Sequence, residues 1–200
     1  MLAMLSERSL DTYDFIVDIL MRKENYMTLK YCKVREVKSP CRAHATDAGI
    51  DFFVPTDLTE ADMAPKFETT GDKVEVETKD GKIAAFILKP NESVLIPSGI
   101  KMEVPEGYML QYTNKSGIAS KRHLLVGANV VDVGYQGECH INLHNVSSRV
   151  QRILAGDKIV QGILIPVNFA MPEEFTSPEE LYGGEASERG SGGFGSSGTK

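Results

Sequence analysis

From Thr28 to about Pro166 the sequence is a succession of short β-forming pieces with Gly or Pro in nearly every gap, and no other feature narrows the choice of fold so far. Gly and Pro interrupt helices, whereas short strands joined by tight turns accommodate them. Residues 73–78 and 83–88 flank the dipeptide Asp80-Gly81, which favours a two-residue hairpin turn. Further strands are expected at 94–96, 100–104, 108–112, 140–143 and 158–165, with turns near Pro55, Pro90, Gly99, Gly107, Gly127, Gly137 and Gly156. The pattern predicts an all-β sandwich or barrel.

The two ends differ in character. From about Ser9 to Glu24, Leu10, Tyr13, Val17, Leu20 and Met21 recur at helical spacing. Asp11 and Asp14 near the start and Arg22 and Lys23 near the end suit the helix dipole. A helical extension is therefore expected at the head. After Pro166 come Pro172, Pro178 and a cluster of acids, and residues 189–198 read Arg-Gly-Ser-Gly-Gly-Phe-Gly-Ser-Ser-Gly. By composition this is a flexible linker. The same string suits a phosphate-wrapping segment, because unhindered N–H groups can form an anion nest. Arg189 would add a bidentate charge and Phe194 a flat face for a base. Both readings stand at this point.

The 200 residues carry a net charge of −6, which excludes the basic field used to hold duplex nucleic acid. Apolar runs fall short of the ~20 residues of a membrane span, and Asp14 and Asp18 interrupt the N-terminal one, so neither a membrane segment nor a leader is expected. Cys32, Cys41 and Cys139 are odd in number and form no CxxC pair. They read as free thiols of a reducing compartment. The expectation is a cytoplasmic globular protein acting on something small.

Lys115-Ser-Gly117 follows an expected strand and precedes small residues. If a helix begins there, the N–H groups of Ser116 and Gly117 form an anion site, and otherwise the piece is a strand-to-helix turn with a solvated Lys. Asp132 follows Val130 and Val131 and precedes Gly134 and Gly137, a place for a turn-capping acid or for a general base facing a cleft. Asp51, after Gly49 and Ile50, is similar. Together, two acids, a Lys-Ser-Gly turn and an Arg/Gly/Phe tail suit hydrolysis of a phosphate ester or anhydride. His140 and His144 stand four apart with no HExxH around them, and read as strand histidines rather than metal ligands.

Five segments in order resemble the motifs of the trimeric deoxyuridine triphosphatases (dUTPases): 48–51 (AGID), 115–119 (KSGIA), 127–137 (GANVVDVGYQG), 156–161 (GDKIVQ) and 189–198 (RGSGGFGSSG). The third and fifth are the specific ones. The resemblance implies a jelly-roll-like β domain over 28–170 with an insertion at about 57–85. It also implies a flexible C-terminal arm over 171–200, while the helical extension over 1–27, read from its spacing, is extra to the family pattern. It further implies a homotrimer with active sites shared between subunits, dUTP as substrate, and Mg²⁺ carried by the phosphates and water rather than by direct protein ligands.

By the same resemblance Asp132 polarises the attacking water, and Asp51 supports the metal's water shell. Lys115, Ser116, Gly117 and Gln161 meet phosphate. Tyr135 packs on deoxyribose, leaving no room for a 2′-hydroxyl. Asn129, Val130, Val131 and His140 lie where the hairpin backbone reads uracil. Arg189 clamps charge, Phe194 with Gly195 covers the base, and Ser196 and Ser197 meet phosphate. A strand edge presents alternating N–H and C=O groups, the pattern uracil pairs with, and cytosine would leave some of them unpaired.

This sequence departs from the family pattern at three places. Lys115 stands where Arg is common, a point charge in place of a fork. Gly134 replaces a second acid, and Asn129 stands where Gly is common, although Asn tolerates left-handed backbone. Two other functions are carried forward. A dCTP deaminase of the same fold would need a proton-shuttling Glu where Asn142 stands. A dUTP-sensing or protein-binding module could keep the fold and signal through the head and insertion.

Overall fold

A computed structural model describes residues 27–63, 74–185, 187, 190 and 191. The helix expected at 9–24 lies outside them, as do Arg189, Phe194, Gly195, Ser196 and Ser197. The described chain is mostly strand: β1 (Lys30–Lys33), β2 (Ile50–Phe53), β3 (Glu75–Lys79), β4 (Lys82–Leu88), β5 (Ser93–Pro97), β6 (Ile100–Glu103), β7 (Tyr108–Asn114), β8 (Leu124–Val126), β9 (Val130–Val131), β10 (His140–Asn145), β11 (Gln151–Leu154) and β12 (Lys158–Pro166). Three short helices are described: α1 (Glu60–Met63), α2 (Ser116–Arg122) and α3 (Pro178–Tyr182).

The strands pair antiparallel in four sheets, ordered β1-β6, β5-β10-β8, β11-β4-β3 and β2-β12-β7-β9. The Asp80-Gly81 turn joins β3 to β4 as the sequence predicts, with φ of 51° and 75° at its two residues. The strand it feeds is a core element, because Ile83, Ala85, Phe86, Ile87 and Leu88 are all buried. The stretch read as an insertion at about 57–85 therefore runs into β4 at its C-terminal end.

Inward side chains from β2, β4, β5, β6, β7, β10, β11 and β12 join one apolar cluster. Within it Phe52 and Tyr112 meet edge to face, with ring centroids 5.0 Å apart. Asn145 is the polar exception. It is fully buried at the end of β10, and its Nδ2 donates to the carbonyls of Leu88, Lys89 and Arg149 while Oδ1 accepts from Ser147. The three cysteines are free. Cys32 and Cys41 are exposed, and burial pushes the Cys139 thiol up to about 11, so it stays protonated and inert.

The chain divides into two units, residues 1–167 and 168–200. In the second, the stretch expected as a flexible arm over 171–200 contains α3. Ser177 caps it by accepting from the Glu180 N–H, Pro178 sits in its first turn, and Gly183 ends it in the left-handed region. The Glu180 carboxylate in turn accepts from Thr176. Among the described residues no helix is long and apolar enough to cross a membrane.

Candidate active site

The register of β2, β12 and β7 sets Asp51, Gln161 and Thr113 in a row across three strands, so their side chains share a face. Asp51 is only 4% exposed. Burial pushes its carboxyl up, but hydrogen bonds and charge from Lys115 and Lys158 outweigh this and hold it below the ordinary carboxylate range. The Lys115 ammonium lies on one carboxylate oxygen, and Lys158 Nζ lies 2.8 Å from the other. The bond to Asp51 raises Lys158 above the usual lysine value. One carboxylate and two ammonium groups leave a net positive charge at this face.

Gln161 is the middle of the row. Its Nε2 donates to the Asn114 carbonyl at 3.0 Å, and its side chain lies against Gly49, where a Cβ would sit 2.1 Å from Gln161 Oε1. Asn114 leads into Lys115, the extended N-cap of α2, which makes no side-chain cap bond. The first N–H groups of α2, those of Ser116 and Gly117, thus open beside the two lysines, in line with the strand-to-helix turn expected from the sequence.

The second group lies on the hairpin after β8. β9 is the edge of its sheet. Val130 and Val131 pair with Gln111 and Leu110, and the Asn129 carbonyl accepts from Tyr112 N–H at 2.7 Å. Asn129 does not use the left-handed backbone, whereas Gly134 does, at φ 81°. Asp132 is exposed just past the strand end, where its carbonyl accepts from Tyr135 N–H. Tyr135 is 46% exposed, and its hydroxyl donates to the Glu138 carbonyl. His140 Nδ1 lies 2.8 Å from that same oxygen. With Val133, Gly134 and Gln136, Tyr135 lines one wall of a cavity of about 580 Å³ whose other walls include Lys30, Glu103 and Glu106.

Within one chain, Asp51, Lys115, Ser116, Gly117 and Gln161 come together, and Asn129, Val130, Val131, Asp132, Tyr135 and His140 form a separate group. Val131 pairs three rungs along β7 from Thr113 and one strand beyond it. At ~3.4 Å per rung and ~4.8 Å per strand it lies on the order of 14 Å from Gln161, and Asp132 continues away from it.

One participant was not singled out from sequence. Lys158 is three residues from Gln161, which in a regular strand means opposite faces. A bulge between Lys158 and Val160 returns it to the Asp51 face, and nothing in the sequence marks that bulge. Asn142, where a deaminase needs an acid, is a brace. Its Oδ1 accepts from Ala128 N–H and lies 3.0 Å from His144 Nε2, and its Nδ2 donates to the Val94 carbonyl.

The fold and these residues define a mostly β protein with a net-positive face and, apart from it, an edge hairpin bearing an exposed aromatic. The family model described as dUTPase matches residues 82–198. A deoxyuridine 5'-triphosphate nucleotidohydrolase from Desulfotalea psychrophila is 35% identical over 142 residues, covering 70% of this chain and 90% of that protein. Among solved structures, the Staphylococcus bacteriophage 80alpha dUTPase with dUPNHPP is 25% identical with a TM-score of 0.64, covering 87% of this chain and 100% of that one. A substituted dUTPase from phage phi11 of S. aureus, described with a structural Mg(II) ion, has a TM-score of 0.56 at 23% identity and covers 76% of this chain and 99% of that one. The chain belongs to the dUTPase family.

Proposed function

We propose that this protein hydrolyses dUTP to dUMP and pyrophosphate in active sites shared between copies of a jelly-roll homotrimer, limiting uracil in DNA and supplying dUMP. The observation that carries the reading is the cluster of Asp51, Lys115, Lys158 and Gln161, whose surplus positive charge flanks the open start of α2. Family membership and the naming of relatives as dUTP nucleotidohydrolases support it.

Lys115 moves from Asp51 to the phosphates, joined by Ser116, Gly117 and the Gln161 amide. Lys158 stays on Asp51. The outer edge of β9 offers main-chain groups to uracil, with Asn129 just before it and His140 at the start of β10, and the Tyr135 ring walls off a 2′-hydroxyl. Asp132, exposed at the strand end, takes the proton of the attacking water, a role worth about 10²–10⁴ in rate. The arm residues Arg189, Phe194, Gly195, Ser196 and Ser197 close over base and phosphates.

Among the described residues there is no group of three His, Cys, Asp or Glu able to hold a metal ion. With Lys115 turned to the phosphates, the Asp51 oxygen it now holds would support the water shell of Mg²⁺ brought by the substrate phosphates. When bound, the ion screens phosphate charge. The separation of Asp132 from Gln161 within a chain supports a site completed by a second copy. Exposed Val130, Val133, Val146 and Val150 are apolar surface for neighbouring copies to cover.

The test is product analysis on the common deoxynucleotides with and without Mg²⁺. The reading expects dUMP and pyrophosphate from dUTP alone, and ammonia released from dCTP would overturn it.

A further inference from the structure

The turn that carries Tyr135 is anchored at one residue. The Glu138 carbonyl accepts from the Tyr135 hydroxyl at 3.1 Å and lies 2.8 Å from His140 Nδ1, so both side chains hang on one peptide group. The hydroxyl end of the Tyr135 ring also lies close against Gly137, where a Cβ would stand 2.3 Å from the phenol oxygen. The turn has little else to hold it. Tyr135 N–H reaches Asp132 at only 3.3 Å, and residues 132–136 are exposed.

What fixes Glu138 comes from elsewhere in the chain. Its carboxylate receives Arg35 Nε at 2.7 Å, Arg35 Nη2 at 3.1 Å and the Gly99 N–H at 2.8 Å. The remaining arm of the Arg35 fork, Nη1, donates to Asp62 Oδ1 at 2.8 Å. Asp62 lies in α1, within the stretch read as an insertion, and its Oδ2 is held by Thr59 through N–H and hydroxyl. All three charged side chains are largely covered, with 20%, 16% and 25% of Arg35, Glu138 and Asp62 exposed. Charge-assisted bonds in such a setting are short and directional, and losing one partner leaves a poorly solvated charge that must move.

We propose that Arg35, itself held by Asp62, is a positioning residue that fixes the Tyr135 ring through Glu138, coupling the α1 segment to the choice between deoxyribose and ribose. This rests on the reading above that Tyr135 faces the sugar. Without Arg35, Glu138 turns toward water and carries its carbonyl, and with it the phenol, out of place. The substitution Arg35→Lys would keep the charge but not the fork.

The experiment compares kcat and KM for dUTP and UTP in the full-length protein. A misplacement of about 1 Å can cost about 10²-fold. Arg35→Met is expected to raise KM for dUTP and to lower the dUTP-over-UTP preference in kcat/KM by about tenfold or more, with Arg35→Lys intermediate and Asp62→Asn smaller in the same direction. Adding Arg35→Met to Tyr135→Phe should cost far less preference than it does alone, because the tie it acts through is already cut. A merely structural role would lower the active fraction and leave the preference unchanged.

An unchanged preference in folded Arg35→Met, or strict additivity with Tyr135→Phe, overturns the proposal. Should Arg35→Met fail to fold, Asp62→Asn carries the same comparison. If the unmodified protein does not turn over dUTP, the function is wrong, and the strut is judged by hydrogen exchange. Faster exchange of amides 132–140 in the Arg35→Met or Asp62→Asn protein supports it, and unchanged exchange refutes it.

Discussion

At Asp51 a carboxylate that water scarcely reaches sits between two ammonium groups, and its behaviour with pH follows from that. Its folded pKa lies below the unfolded one, so its contribution to stability is full above about pH 4 and is lost as pH falls through the folded value. Lys158 is the opposite case, with a raised folded pKa, so its share persists up to about pH 10 and fades above. The stability gap between the native protein and Asp51→Asn should therefore be flat from about pH 5 to 9, on the order of 1–3 kcal/mol, and narrow below. Urea melts across that range check it. For Asp132→Asn, turnover should fall by about 10²–10⁴ while dUTP still binds, as read by kinetics beside calorimetry. The sequence marked Asp51 and Gln161 because motif spacing does not depend on strand geometry. It hid Lys158, whose membership of the cluster depends on the bulge after it.

Among the elements, those bounded by strong turn chemistry were legible. Asp80-Gly81 set the β3–β4 hairpin, and the Lys115 turn did open a helix. β1, β2, β8, β9 and β11 run only two to four residues, too short for alternation to register, and long-range pairing alone makes them strands. α3 carried a readable cap, Ser177 with Pro178 and Glu180, which composition-based reading of the tail passes over. Asn145 ties the end of β10 to the end of β4 by donating to the Leu88 and Lys89 carbonyls, and to the turn before β11 by donating to that of Arg149. Asn145→Leu should cost about 2–4 kcal/mol by leaving buried carbonyls unpaired, seen as a lower urea midpoint with little change in slope.

For the whole molecule, one chain holds two separate groups of candidate site residues. The anion face and the β9 hairpin share a sheet, yet its ladder sets them on the order of 14 Å apart. Residue patterns name the members of both groups but not their distance, because distance is a property of register. Deleting the chain from Arg189 onward should leave melting temperature and oligomer size unchanged while nearly abolishing turnover, checked by scattering and assay together. A loss of assembly would make the arm structural.

The most direct measurement is complementation between two inactive variants, Asp132→Asn and Lys115→Met, unfolded together and refolded as mixed oligomers. If each site takes Lys115 from one copy and Asp132 from another, random assortment leaves about a quarter of sites intact, and dUTP turnover returns toward that level. Mixed oligomers that form and stay inactive would contradict the account.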